Sequence, residues 1–181
     1  NLDHFGAAEY PYKTVLQDTT TESMATVLKE QGYSAHAIHN NSAAFYDRDL
    51  VFSQLGFDTF TTKETMNIKK WTENGWAKDT VLTGCINDAL DSTDNQDYVY
   101  CISVQGHGDY PTTEIIENPE ITVSGIKDEA LRNKYTYYAN QVYQMDQFVG
   151  DLVHSLEKRN EETILVMYGD HLPSLSIEDE D

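Results

Sequence analysis

Apolar residues fall along the chain in two alternating rhythms. Over residues 19–31, Met24, Val27 and Leu28 recur at helical spacing, Thr and Glu crowd the start, and Gly32 supplies a stop, which predicts a helix. Residues 33–38 then predict a strand. Further helices are expected over 47–55, ending at Gly56, and over 79–90, before the turn-forming run Asp91-Ser92-Thr93-Asp94-Asn95. Residues 98–104, Tyr-Val-Tyr-Cys-Ile-Ser-Val, are β-branched and aromatic and apolar on both faces, the pattern of a central parallel strand. Tyr138, Val142, Met145, Val149, Leu152 and Leu156 form the apolar stripe of a long helix, and residues 163–168 read as another buried strand. Helices alternating with such strands imply right-handed crossovers, so the fold class is α/β: a mostly parallel sheet sandwiched by helices.

No repeat and no Pro/Ser/Gly-rich linker divides the 181 residues, so residues 1–181 are expected to belong to a single domain. At 39% hydrophobic and 11% aromatic the chain has material for a core, and its net charge of −19 argues against nucleic acid and against an anionic membrane surface as partners. The longest apolar run, 164–168, is far short of the roughly 20 residues of a membrane span, and Asn1-Leu2-Asp3-His4 has no signal-peptide pattern, so the chain itself is expected to be soluble. Cys85 and Cys101 fit neither a disulfide scaffold nor a zinc or redox motif and are expected as buried thiols, with a single bridge between them left open.

In open α/β sheets ligands bind beyond the carboxyl ends of the strands. The three expected exits read Ile38-His39-Asn40-Asn41, Gln105-Gly106-His107-Gly108-Asp109 and Tyr168-Gly169-Asp170-His171, and each carries a histidine. Asp170 and His171, an adjacent carboxylate and imidazole, can ligate one divalent cation; alone, such a pair also serves as a turn and a cap. His107, between two glycines, sits where backbone can approach a ligand, or in an ordinary loop. Arg48, in Phe45-Tyr46-Asp47-Arg48-Asp49, is one of only 12 basic residues and suits a phosphate or sulfate oxygen pair, against the plainer reading of a surface pair with Asp47 or Asp49.

Other histidines are expected elsewhere: His36 in the core, His4 in a polar terminus, His154 at the solvent margin of the long helix. Asp88, Asp91, Asp94 and Asp97 lack the glycine and distal glutamate of a calcium loop and are expected at a solvated helix end, as is the acidic run 177–181 at the chain end. No GxGxxG, Walker loop or GxSxG elbow occurs, and the tyrosines are explained by core packing.

Taken in order, His39-Asn40-Asn41, Phe45-Tyr46-Asp47-Arg48-Asp49, Leu55-Gly56-Phe57-Asp58-Thr59-Phe60, Gly106-His107 and Met167-Tyr168-Gly169-Asp170-His171 resemble the extracellular catalytic domain of lipoteichoic acid synthase-like enzymes. These are sulfatase-type phosphoglycerol transferases of the alkaline phosphatase superfamily. The resemblance runs from about Thr19 to Pro173. It implies an alkaline phosphatase-like fold and a threonine nucleophile with one divalent ion, Mn2+ or Mg2+. The activity it implies is transfer of phosphoglycerol from a phosphatidylglycerol-type lipid headgroup to a cell-envelope polymer. By that likeness Asp170 and His171 are metal ligands, and His39, Tyr46, Arg48 and His107 contact the glycerol phosphate group. The family often has tryptophan where Tyr46 stands and an acidic residue where Asn41 stands. Its nucleophile and a glutamate ligand come from upstream of the matching region, and the domain continues past the Asp-His pair. The chain is therefore expected to be part of such a domain, lacking its N-terminal nucleophile segment and C-terminal part, from a parent anchored at the extracellular face of the cell membrane. No nucleophile is assigned. A sulfatase-like hydrolase on the same frame and a non-catalytic binding or scaffold domain are the alternative readings.

Overall fold

The sheet is organised around one fully buried strand. β1, Ser34–His39, is buried at all six positions, as the alternation of small and apolar residues in Ser-Ala-His-Ala-Ile-His allows. The computed structural model describes residues 16 and 18–175; the expectations for His4 and for 177–181 lie outside the described residues. Around β1 the order is α1 (Met24–Lys29), β1, a 3-10 turn (Phe45–Asp47), α2 (Arg48–Gln54), β2 (Thr59–Thr62), α3 (Thr80–Leu90), β3 (Asp97–Ile102) and α4 (Glu129–Glu157).

All pairing is parallel, in the spatial order β2-β1-β3. His39 stands level with Thr62 on one side and Ile102 on the other, so the three carboxyl ends form one rim. On one face, Ile38 packs with Leu82 and Ile86 of α3 and Phe148 and Leu152 of α4, joined by Val99 and Cys101 from β3. On the opposite face Phe52 of α2 meets Phe60 and Tyr100 edge-on, while Phe57 stacks on Tyr98 at 5.7 Å between ring centres. The sandwich of helix, parallel sheet and helix is thus the expected α/β class.

Helix ends follow local chemistry. Ser23 caps α1 by accepting from the Ala25 and Thr26 N–H groups, and the Thr26 hydroxyl accepts from the Ser23 N–H in return. Gly56 lies at φ +85° just past α2, and a side-chain carbon there would come within 2.5 Å of the Thr26 methyl, so only glycine lets this turn pass against α1.

Several expectations are corrected. Residues 163–168 form no strand: nothing among the described residues pairs with them, and Ile164 and Val166 are 93% and 74% exposed. Their apolar pattern satisfies the local rule for a buried strand, but a strand also needs a ladder neighbour and a facing layer, and neither meets them here. The expected central strand is β3, at an edge of the described sheet and half-buried along its length; the central strand is β1. The short, hydroxyl-rich β2 was not anticipated, because Thr-Phe-Thr-Thr carries a single large apolar residue.

The expected stripe of α4 holds in its C-terminal half, where Leu152 is buried and Val149 and Leu156 pack against the core, and is offset by one residue before that. Tyr137, Gln141, Phe148 and Leu152 face inward, whereas Val142 is exposed. In α1 the inward residue is Ala25, with Met24 and Val27 exposed. Both cysteines are free and half-buried rather than fully buried. Asp97 does not lie at a solvated helix end: it begins β3 with its side chain buried and bonded to His36, which is in the core as expected. Among the described residues, no helix is long and apolar enough to cross a membrane.

Candidate functional site at the carboxyl rim

His39 ends β1 and is buried. Its Nδ1 lies 2.9 Å from the Ile102 carbonyl oxygen, across the ladder to β3. A carbonyl only accepts, so Nδ1 carries the hydrogen and Nε2 presents a lone pair. That Nε2 is buried and has no hydrogen-bond partner among the described residues. Burial lowers the His39 pKa to about 4, opposed by the Ile102 bond and reinforced by the nearby positive charges of Arg48 and His107. His39 is therefore a neutral acceptor at pH 7, not a donor to a phosphate oxygen.

A pH prediction follows, with a definite sign. The unfolded chain takes up a proton at His39 near pH 6.5, whereas the fold excludes it until about pH 4. The unfolded state thus binds more protons over that interval, and stability contributed by neutral His39, complete above pH 6.5, is lost as pH falls toward 4. The urea midpoint should drop between pH 7 and pH 5, and His39→Gln should flatten that drop. An equally steep drop in the variant would place the protonation elsewhere.

Arg48 opens α2 directly after the 3-10 turn. Its guanidinium carbon lies 5.4 Å from the Phe45 ring centre and 5.6 Å from that of Tyr46, so the planar group rests against an aromatic pair. Tyr46 and Asp47 both take left-handed backbone, φ 61° and 51°, a conformation that costs non-glycine residues roughly 1–3 kcal/mol each. Asp109, two residues beyond His107, is the third such residue, at φ 64°. All the positive-φ non-glycine residues among the described residues therefore lie in the two loops carrying Tyr46, Arg48 and His107.

His107 is exposed, and its N–H donates to the Val104 carbonyl at 2.9 Å. Trp76 stands edge-on to its ring at 5.3 Å. The Trp76 indole N–H donates to the Gly108 carbonyl, and Asn74 donates to the Asp109 carbonyl at 2.7 Å. A loop before α3 thus backs the His107 loop. Neither Trp76 nor Asn74 was anticipated, since nothing in the local pattern ties residues 74–76 to residues 107–109. Asn40, Asp79 and Gln105, buried behind the rim, were also missed as site residues, although polar side chains directly after a strand gave a signal for Asn40 and Gln105.

Asp170 and His171 lie in an exposed, irregular segment, His171 Nε2 3.7 Å from Asp170 Oδ1. His171 reaches the rim: its ring centre is 6.2 Å from that of His107. The structure therefore places Arg48 and His107 within electrostatic reach of His39, His171 beside His107 and Tyr46 against Arg48, while Asp170 is placed only against His171. A carboxylate oxygen and an imidazole nitrogen suit a divalent ion in type, but two donors do not by themselves enclose one. Among the described residues no group of three or more His, Cys, Asp or Glu side chains is placed to hold a metal.

The sequence profile of the Sulfatase family matches residues 1–179. A Rhizobium meliloti (strain 1021) protein named for cyclic beta-1,2-glucan modification is 32% identical over 92% of this chain, which covers 26% of that protein. The lipoteichoic acid synthase of Staphylococcus saprophyticus is 24% identical over 92% of this chain and 26% of its own length. The chain thus spans about a quarter of the curated relatives it matches. Among solved structures, Streptococcus pyogenes phosphoglycerol transferase GacH in complex with sn-glycerol-1-phosphate superposes with a TM-score of 0.68 at 20% identity, over 86% of this chain and 41% of that one. The Listeria monocytogenes lipoteichoic acid synthase LtaP gives 0.64 at 24% identity, over 81% and 36%. With a profile match along nearly its whole length, the chain belongs to the Sulfatase family, and its parallel sheet with helical layers is the fold of these solved structures.

Proposed function

We propose that this chain is part of the catalytic domain of a metal-dependent phosphoglycerol transferase of the cell envelope, acting at the extracellular face of the membrane from a membrane-anchored parent. The observation that supports the reading is that His39, at the end of β1, lies within electrostatic reach of Arg48, after a strained turn, and of His107, in the loop after β3. The glycerol phosphate held by the structurally similar GacH supports the ligand class. A relative named for glucan modification supports a saccharide-containing acceptor.

In this reading Arg48 binds two oxygens of the phosphate, its fork held flat by Phe45 and Tyr46. His39 Nε2, with its lone pair, accepts from a hydroxyl of the glycerol moiety, which would satisfy the buried nitrogen. Tyr46 packs against the glycerol carbons, and His107 faces the phosphate from the other exit. Asp170 and His171 supply part of the ligand set of Mn2+ or Mg2+, which when bound neutralises charge on the phosphoryl oxygens.

The test uses the complete catalytic domain with phosphatidylglycerol vesicles and Mn2+, following diacylglycerol release. Release supports the transferase. Turnover of an aryl sulfate without diacylglycerol release would favour the hydrolase reading, and ligand binding without either turnover the scaffold reading. Asp170→Ala should weaken Mn2+ binding at least tenfold by calorimetry, as loss of a ligand does; equal affinity removes the metal assignment.

A further inference from the structure

Asp79 stands at the N-cap of α3, where an aspartate ordinarily accepts from the helix's own first N–H groups, yet its side chain makes no capping bond. The carboxylate is directed across the molecule instead. Asp79 Oδ1 accepts from Asn40 Nδ2 at 2.8 Å, directly after β1, and the same Asn40 amide also donates to the Ala77 carbonyl at 3.1 Å. The Asp79 main-chain N–H donates to Gln105 Oε1 at 2.8 Å, beyond the end of β3. Gln105 Nε2 then donates to Gln141 and Gln144 of α4, at 3.0 and 2.8 Å.

One residue thus ties both strand exits, through its side chain to the first and through its backbone to the second. Asn40, Asp79, Gln105 and Gln141 are all buried, so the bonds among them lie in a low-dielectric interior where losing one is costly, although Asn40 Oδ1 and Gln141 Nε2 have no hydrogen-bond partner among the described residues. The residues it holds are the immediate neighbours of the site. Asn40 follows His39, and Gln105 precedes His107 by two positions. Burial also pushes the Asp79 carboxyl above its ordinary pKa, opposed by the donors around it, the Asn40 amide first and then groups of Gln105, Ser103 and Val104 beyond β3.

We propose that Asp79 is a positioning residue of the rim, its bonds to Asn40 and Gln105 fixing the separation of His39 and His107 that the ligand requires. It touches neither ligand nor reacting atoms in this role. The proposal rests on the glycerol phosphate reading for its ligand but not for its geometry, and two readouts separate the two.

The first is calorimetric titration of sn-glycerol-1-phosphate. Asp79→Ala should weaken binding at least tenfold, and Asp79→Asn, which keeps an oxygen for Asn40 and the N–H for Gln105, should recover it to within about threefold. Leu82→Ala, a core truncation on the same helix, should lower the melting temperature but leave affinity within about twofold. Should Asp79→Ala fail to fold, Gln105→Leu breaks the network from the other side and is expected to give the same loss. The second readout needs no ligand: the ring signals of the histidines by NMR at constant pH. Asp79→Asn should leave all of them near their wild-type positions, whereas Asp79→Ala or Gln105→Leu should move His39 and His107 and leave His36 and His154 in place.

Unmoved His39 and His107 signals in the network-breaking variants, or an affinity loss in Leu82→Ala as large as theirs, overturns the proposal. Moved signals in a protein that binds no glycerol phosphate overturn the ligand reading instead and leave the positioning role standing.

Discussion

Replacing Asp97 with alanine should destabilise the fold by about 3 kcal/mol, since removing one partner of a buried pair leaves the other uncompensated. Asp97 begins β3 and pairs with His36, Oδ1 to Nε2 at 3.0 Å, with the two side chains 2% and 3% exposed. The other His36 nitrogen, Nδ1, is 2.8 Å from the Thr59 hydroxyl of β2. One imidazole therefore bridges all three strands at the amino end of the sheet, and the Thr93 hydroxyl adds a bond of 3.1 Å to the same Asp97 oxygen. After truncation, the buried Nε2 loses its hydrogen-bond partner. Asp97→Asn preserves the shape and one polar contact and should cost less. Urea denaturation is the measurement, and an unchanged midpoint for Asp97→Ala would mean that the pair contributes nothing net.

The second large effect is at Arg48. Replacement by alanine should weaken sn-glycerol-1-phosphate binding by about 2 kcal/mol, roughly 30-fold, the range of a charge-assisted hydrogen bond to an anion. With a net charge of −19, the protein offers an anion few attractive groups, and the −19 field makes the loss of a cation at the rim harder to compensate. Arg48→Lys should restore little, because an ammonium is neither planar enough to rest against the Phe45–Tyr46 pair nor able to present a fork. Calorimetry at two salt concentrations checks the claim; wild-type affinity in the alanine variant would make Arg48 a surface residue.

Much of this architecture is readable from local pattern. The boundaries of β1 and α3 fall within a residue or two of the rhythm in Tyr33 to Ile38 and Asp79 to Leu90, because there a local signal and the tertiary packing agree. Residues 163–168 show the opposite case. Their β-branched, apolar composition is a true statement about the segment, but whether it becomes a strand depends on a neighbour that composition does not describe. The inward faces of α1 and of the N-terminal half of α4 were misplaced for a related reason: Gln141 is inside because Gln105 awaits it, and an apolar-only count passes over a buried glutamine.

The site was legible to the same degree. Histidines at strand ends pointed to the rim, since a parallel sheet sends its exits to one edge. Which tautomer His39 holds came only from its Ile102 bond, and the backing loop of Asn74 and Trp76 only from three-dimensional contact. In sequence Asp79 only opens the expected helix over 79–90, and its actual partners are 26 and 39 residues away.

The common pocket is the claim on which the functional reading depends, and histidine NMR during titration with sn-glycerol-1-phosphate addresses it directly. His39 and His107 should shift together along one binding curve, with His36 and His154 unmoved. Saturable binding that shifts neither of the two, or shifts only one, would contradict it.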